Sequence, residues 1–254
     1  MKLFCSGLDG YIGNNLKMAL KDAGHSYVTF DLTKGLDIRD IEAVRHHMAG
    51  CDGVIHLAAI LAGGYCDNHI MEAIETNTLG TSNVAEAAGE FGLPMVFTST
   101  FAAKILVNTY GLTKRLGEYF VLKNKGTVLR LSNVYGGKEY FKRKTSVISN
   151  FVNAKNRNEV ATIFGDGTQV RDFMHVTDAC QAIIKGLSTP SSIYEVYAGM
   201  EANILDLAEM IGVKYVFKPI QVGDVAKVEH DPHTLIPNWK AQVTLEEGLK
   251  QFVC

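Results

Sequence analysis

The chain has 254 residues, 47% of them hydrophobic, and a formal net charge of -2. That length buries one substantial core with a small annex rather than two full domains. The balanced charge offers no basic field for nucleic acid or an acidic membrane, and no apolar run is long enough to cross a bilayer.

Residues 2–6 form a short apolar segment that enters a glycine-punctuated turn, and they read as a first strand rather than a secretory leader. From there, apolar runs alternate with amphipathic stretches. The pattern predicts a helix over 11–22, a strand over 26–31, a helix over 41–48 and a strand over 53–56. A long helix over 67–89, a strand over 95–98, a helix over 110–122 and a strand over 127–131 follow. This alternation is the mark of strand–helix repeats on a parallel sheet. After Tyr135-Gly136-Gly137 the texture changes to helices over 147–156, 176–187, 205–211 and 245–252, separated by loops and short strands. Gly165-Asp166-Gly167 marks a turn. The expected layout is a nucleotide-binding core over 1–136, to which part of the later chain returns, with 137–254 mainly forming a smaller lobe.

Five cysteines (Cys5, Cys51, Cys66, Cys180, Cys254) lie far apart, with no Cys-x-x-Cys pair and no histidines at ligand spacing. This argues for a reducing compartment, cytoplasm by default, and against a disulfide framework or a metal site. Cys5 and Cys180 read as small apolar core residues.

Gly7, Gly10 and Gly13 follow the first strand and open the first helix, with Leu8, Asp9, Tyr11 and Ile12 between them. The first glycine permits a tight turn, the second lets backbone amides approach a pyrophosphate, and the third lets the helix pack on the sheet. Asp31 ends the second strand, where a carboxylate can accept both ribose hydroxyls of NAD and repel the extra phosphate of NADP. Lys34 nearby would soften that repulsion.

Tyr110 and Lys114 are four residues apart on a predicted helix and so share a face. A phenol is a poor base at neutral pH, with an unperturbed pKa near ~10. A neighbouring lysine cation favours the phenolate, and an oxidised nicotinamide ring would add to the effect. Glycine turn and Tyr/Lys pair together read as an enzyme that moves a hydride and a proton.

Assembled in order, these residues resemble an extended short-chain dehydrogenase/reductase of the NAD-dependent epimerase/dehydratase group, which acts on nucleotide-sugars. The resemblance includes Asp37-Ile38, His56-Leu57-Ala58-Ala59, Asn77-Thr78-Leu79-Gly80-Thr81 and Thr98-Ser99-Thr100. It continues through Arg130-Leu131-Ser132-Asn133-Val134-Tyr135-Gly136, Gly165 to Phe173, Gly223-Asp224-Val225 and Leu245-Glu246-Glu247-Gly248-Leu249. It implies an α/β fold, a Rossmann-type doubly wound parallel sheet with a small C-terminal substrate-binding lobe.

The resemblance also implies a cofactor set of Gly7, Gly10, Tyr11, Ile12, Gly13, Asp31, Asp37, Ile38, Leu57, Ala58, Ala59 and Asn77, joined by Tyr110 and Lys114. Asp37 also has another reading as a helix N-cap, His56 as a packed strand histidine, and Asn77 as a helix-terminus partner. Thr100 would hydrogen-bond the reacting oxygen, Tyr110 would be the acid/base and Lys114 would hold the ribose. Asn133 and Arg171 would hold a nucleoside-diphosphate sugar, although Arg171 reads also as an ion-pair partner of Asp172. A homodimer through the 67–89 and 110–122 helices is implied as well; Ile70, Ile74, Leu116 and Phe120 are compatible with it, and core packing within one chain explains them equally well.

Three features depart from that pattern. Dehydrating and decarboxylating relatives carry an acid just after the position of Thr100, whereas Phe101 and Ala102 stand here. Only Phe101–Thr109 separate Thr100 from Tyr110, where relatives place some two dozen residues. Gln221 occupies a position often held by arginine, and the basic run Lys138, Lys142, Arg143 and Lys144 reads as a solvated loop. The reading is an NAD-dependent C4 epimerase, with an NAD-linked oxidoreductase or a non-catalytic NAD sensor as alternatives.

Overall fold

A computed structural model describes residues 1–61, 63–137, 146–220 and 225–253. Lys138, Lys142, Arg143, Lys144, Gln221 and the Gly223-Asp224 pair lie outside the described residues. The chain divides into two compact units. The first comprises Met1–Leu131, Ala179–Val196 and Asp231–Trp239, and the second Ser132–Asp178, Tyr197–His230 and Lys240–Cys254.

The first unit is built on a six-stranded parallel sheet of order β2-β1-β3-β4-β5-β9. Its strands are β1 (Lys2–Ser6), β2 (Ser26–Phe30), β3 (Gly53–His56), β4 (Met95–Thr100), β5 (Thr127–Leu131) and β9 (Ile193–Val196). The central strands are covered on both faces, so they read as continuous apolar runs. Phe4, Val54, Phe97 and Val128 point to one face and share a core with Val44, Met48, Val84, Ala88 and Val121. Those last five come from α2 (Ile41–Met48), α5 (Thr81–Glu90) and α7 (Thr109–Lys123). On the opposite face α9 (Val176–Gly186) lies close to the sheet: a Cβ at Gly186 would come within 3.0 Å of Val96 and 3.2 Å of Leu129. Phe4, Val54 and Phe97 are fully buried; truncating one such aromatic costs about 3–5 kcal/mol.

α1 (Tyr11–Asp22) follows β1, and the strand order reverses between β1's two neighbours, β2 and β3. In open α/β sheets ligands bind outside the carboxyl ends of the strands at such a switch point.

The expected single helix over 67–89 is instead a composite. α3 (Gly63–Asn68) is interrupted at His69, whose backbone leaves the helical region. α4 (Ile70–Ala73) then runs into a π-helical segment, Ile74–Gly80, before α5. A widened turn of this kind accommodates one extra residue. Its position coincides with Asn77, whose side chain is engaged elsewhere and whose carbonyl accepts the Thr81 hydroxyl at 2.7 Å.

The second unit holds β6 (Asn133–Tyr135), β8 (Val170–His175) and β10 (Glu201–Asn203) in one sheet, with β8 central. β7 (Ala161–Phe164) pairs parallel with β11 (Tyr215–Lys218). Helices α8 (Val147–Asn156), α10 (Ile204–Ile211) and α11 (Leu245–Val253) belong to it. Gly165 and Gly167, at φ 74 and 82, turn the chain from β7 to β8. Asp172 in β8 accepts the amides of Ala198 and Met200 at 2.9 Å each, closing the loop before β10. The remaining helix, α6 (Ala102–Ile105), lies in the first unit, within the short segment after β4.

Candidate active site

The glycine turn is held against the end of β3. Gly7 has φ 73, and a Cβ there would lie 2.4 Å from the Ala58 amide nitrogen. No side chain fits, so the turn sits flush on Leu57-Ala58 beside the switch point. Gly13 is as constrained, but its neighbour is the Leu8 backbone at 2.4–2.5 Å. The third glycine therefore lets the helix start close against the backbone of its own turn. Gly10 is the N-cap of α1 and brings no side-chain cap hydrogen bond to the helix start. Room for backbone approach, a helix N-terminus and a carboxylate on the adjacent strand together fit a dinucleotide.

That carboxylate, Asp31, is buried immediately after β2, where it caps the short turn Leu32–Lys34. It accepts the Asp9 amide at 3.0 Å through Oδ2, and the Thr33 amide and hydroxyl at 3.0 Å each through Oδ1. Asp9 stands beside it. Its Oδ1 receives Lys17 Nζ at 2.5 Å and its Oδ2 receives the Thr33 hydroxyl at 2.9 Å. The hydrogen bond from Lys17 holds the Asp9 carboxyl below its usual range.

Asp37 and Ile38 play different parts. The Arg39 guanidinium binds the Asp37 carboxylate in a fork, at 2.9 Å from Nε and 2.6 Å from Nη2, and holds its pKa down. The N-cap of α2 is Asp40, which accepts the Ala43 amide, so the alternative reading of Asp37 as that cap does not hold. Ile38 fills the space left by Gly80, where a Cβ would meet its side chain at 2.6 Å.

His56 is fully buried, with Nδ1 2.5 Å from the Ser6 hydroxyl, Nε2 2.9 Å from the Thr81 hydroxyl, and its ring stacked on Phe97. Burial pushes its pKa well below the ordinary value, so it is a neutral packed histidine. Asn77 clamps the segment after β3. Its Oδ1 accepts the Ile60 amide at 2.8 Å, and its Nδ2 donates to the Ile60 carbonyl at 3.0 Å and to the Thr113 hydroxyl at 3.2 Å. The π-helical segment, the Leu57–Ile60 segment and α7 are thereby tied together.

Tyr110 and Lys114 lie one turn apart on α7. Asn108 caps the helix by accepting the Gly111 amide at 2.8 Å. The short segment after Thr100 forms α6, then a left-handed residue, Leu106 at φ 56. Close packing of α6 on α7 explains the glycine after Tyr110: a Cβ at Gly111 would lie 2.3 Å from the Ala102 carbonyl oxygen. Thr100, at the end of β4, accepts the Ala102 amide at 3.2 Å. Lys104 of α6 reaches the buried carboxylate of Glu195 on β9 at 2.7 Å, anchoring the segment to the sheet.

Lys114 is buried, its ammonium 3.9 Å from the centroid of the Phe97 ring. Burial lowers its pKa to about 7, while Glu118, one turn further along α7, works in the opposite direction. Glu118 is itself buried and accepts the Ser99 hydroxyl at 2.6 Å, Arg115 at 3.0 Å and two hydrogen bonds from Arg130. Sequence reasoning did not single out Glu118 or the Asp9–Lys17 pair, and met Arg130 only as part of a longer motif. The i, i+4 spacing from Lys114 was an available signal for the first.

Asn133 and Arg171 belong to the second unit. Asn133 is exposed on β6 and donates to the Asp172 carbonyl at 3.1 Å. Arg171 donates from Nη1 to the Val170 carbonyl at 2.9 Å. Among the described residues no helix is long and apolar enough to cross a membrane, and no group of three or more His, Cys, Asp or Glu could hold a metal ion.

A parallel sheet with a glycine turn at its switch point and a Tyr/Lys helix beyond β4 defines a dinucleotide-dependent enzyme class. The model of the NAD dependent epimerase/dehydratase family matches residues 4–198, and the chain belongs to that family. It is 26% identical over 252 residues to a putative UDP-glucose 4-epimerase of Methanocaldococcus jannaschii, covering 88% of this chain and 79% of that protein. It is 27% identical over 303 residues to a UDP-N-acetyl-alpha-D-glucosaminuronate decarboxylase of Bacillus cytotoxicus, covering 99% and 93%. In structure it is similar to the UDP-glucose 4-epimerase of Thermotoga maritima crystallised with UDP-glucose. The TM-score is 0.90 at 24% identity, over 100% of this chain and 97% of the other.

Proposed function

We propose that the chain is an NAD-dependent nucleotide-sugar epimerase that inverts C4 of a nucleoside-diphosphate sugar through a transient keto intermediate. The observation that carries this reading is that Ala102, two residues after Thr100, packs against Gly111 in the first turn of α7, the helix that carries Tyr110 and Lys114. Bound NAD supplies a reversible hydride acceptor for the sugar carbon. Tyr110 takes the hydroxyl proton and returns it, Thr100 hydrogen-bonds the reacting oxygen, and Lys114 holds the ribose and stabilises the phenolate. Gly7, Gly10, Tyr11, Ile12 and Gly13 receive the pyrophosphate and Asp31 the adenosine ribose. Asp37, Ile38, Leu57, Ala58, Ala59 and Asn77 complete the cofactor groove.

Epimerisation is favoured over elimination or decarboxylation because the two side chains after Thr100, a buried phenyl ring and a methyl group, have no proton to exchange. The relatives include both reaction types, so this local chemistry discriminates between them. In the second unit Arg171 holds the diphosphate, as an always-charged, bidentate guanidinium suits, and Asn133 adds a hydrogen bond. A UDP-sugar is the first candidate, on the strength of the relatives' own substrates.

A homodimer is part of the same reading. Of the four residues named for it, Ile70 and Leu116 are exposed, as are Leu79, Leu112 and Tyr119 on the same segments, whereas Phe120 packs against the core of the first unit. A cytoplasmic setting agrees with the buried, unpaired Cys5, Cys51, Cys66 and Cys180.

The test is proton NMR of the purified protein with NAD and a panel of UDP-, GDP-, CDP- and dTDP-sugars, with NADH absorbance followed in parallel. Inversion without accumulating NADH, abolished in Tyr110→Phe, is the expected result. Net NADH production would instead indicate an oxidoreductase, and NAD binding without turnover of any sugar a sensor.

A further inference from the structure

The Asp9 side chain in the glycine turn has no role in the chemistry above, yet it is tied to the residue that would receive the cofactor ribose. The Asp9 backbone amide donates to Asp31 Oδ2 at 3.0 Å, and the Thr33 hydroxyl lies between the two carboxylates, 2.9 Å from Asp9 Oδ2 and 3.0 Å from Asp31 Oδ1. On its other side Asp9 holds Lys17 Nζ at 2.5 Å, with Asn14 Oδ1 a further 2.9 Å partner of the same ammonium. We propose that Asp9 is a second determinant of cofactor choice. It sets a second carboxylate beside Asp31 and engages Lys17, a nearby cation that would otherwise pair with a 2′-phosphate.

The inference rests on the dinucleotide reading of this turn. Asp31 alone repels a ribose phosphate, but a single carboxylate is readily countered by a lysine within a few ångströms. Lys17 and Lys34 both stand in this neighbourhood, and both act on Asp9. With Asp9 ionised, Lys17 is committed to it, so the patch presented to the cofactor remains acidic. Without that charge, the ammonium stays beside Asn14 and is open to an incoming dianion. Thr33, whose amide donates to Asp31 and whose hydroxyl lies within hydrogen-bond distance of both carboxylates, fixes their spacing.

Direct binding tests this without turnover. Fluorescence titration with NADH and NADPH is carried out on the full chain, on Asp9→Asn and on Asp9→Asn/Lys17→Gln. Asparagine keeps the shape and the acceptor for Thr33. The expected result is that Asp9→Asn tightens NADPH about tenfold relative to NADH, as removing one nearby like charge implies. The double variant should lose most of that gain. Asp9→Ser, a smaller uncharged replacement, should shift the preference in the same direction if the amide perturbs the turn.

An unchanged NADPH/NADH ratio in both single variants would overturn the proposal. So would a gain that survives Lys17→Gln, since the masking of Lys17 would then be irrelevant. A wild-type chain that binds neither dinucleotide would overturn the underlying dinucleotide reading as well. Binding of NADH with no shift in Asp9→Asn or Asp9→Ser would overturn this inference alone.

Discussion

Arg130 grips Glu118 with two hydrogen bonds, 2.8 Å from Nε to Oε1 and 2.7 Å from Nη2 to Oε2, in a site where Glu118 is 1% exposed. The pair links β5 to α7 directly behind Lys114. Removing one partner from such a pair leaves a buried charge uncompensated, which costs about 3–5 kcal/mol. Glu118→Ala is therefore expected to lower the urea midpoint strongly, and the double change Glu118→Leu/Arg130→Met to lower it less. Equal losses in both variants would show that the charge imbalance is not the cause.

Lys114 imposes a pH signature on stability. Burial lowers its folded-state pKa from 10.5 to about 7. Between those values the unfolded chain binds the proton and the folded chain does not, so stability rises with pH across the window. Below about pH 7 the full cost of the buried cation is present. The expected outcome is that Lys114→Met melts higher than the parent near pH 7, and that this difference narrows toward pH 9.5. Calorimetry of the dinucleotide-free proteins would decide it, and parallel pH profiles would count against the assignment.

Tyr110→Phe keeps the ring and removes the proton carrier. Loss of positioned acid/base catalysis costs about 10²–10⁴-fold in rate, and the drop should fall on kcat more than on KM. Unchanged circular dichroism and NADH affinity would assign the loss to chemistry. A variant retaining more than a tenth of the parent rate would exclude Tyr110 from proton transfer.

Gly111→Ala probes the short connection between Thr100 and Tyr110. The added methyl would stand 2.3 Å from the Ala102 carbonyl oxygen, backbone against backbone, so α6 and α7 must part. Overpacking of this kind costs about 1–3 kcal/mol. A misplacement of about 1 Å near the reacting atoms costs up to ~10²-fold in rate. Urea unfolding and steady-state kinetics on the same preparation should show both losses. A stable variant with parental kcat would mean that the helix contact does not set the site.

Thiol labelling checks the core. Burial raises Cys5 and Cys180 to about 12, leaving almost no thiolate at neutral pH. Neither should react with a disulfide reagent in the native protein, and both should react in urea. Rapid native labelling at either position would contradict the packing of β1 or α9.

Much of the core was legible in the sequence because its signals are local. The boundaries of β1, α1, α2, β3 and β5 follow from apolar runs and punctuating glycines, and the structure places them at the same residues. Gly7, Gly10, Gly13, Asp31, Tyr110 and Lys114 stood out by spacing alone. The helix over 67–89 was misread as continuous, since periodicity registers apolar faces and not where a side chain such as Asn77 is drawn into a distant hydrogen bond. The N-cap of α2 likewise depended on which of two nearby aspartates faced an open amide, a matter of backbone geometry.

The order of the elements, the glycine turn and the residue types able to perform the chemistry are written along the chain. The state of those residues comes from the fold. The Lys114 ammonium is carried by Phe97 and Glu118, Glu118 by Ser99 and Arg130, and Asp9 by Lys17 and Thr33. Several of these partners are distant in sequence, and burial sets the sign and size of a charge's effect. No spacing rule along the chain contains the local dielectric.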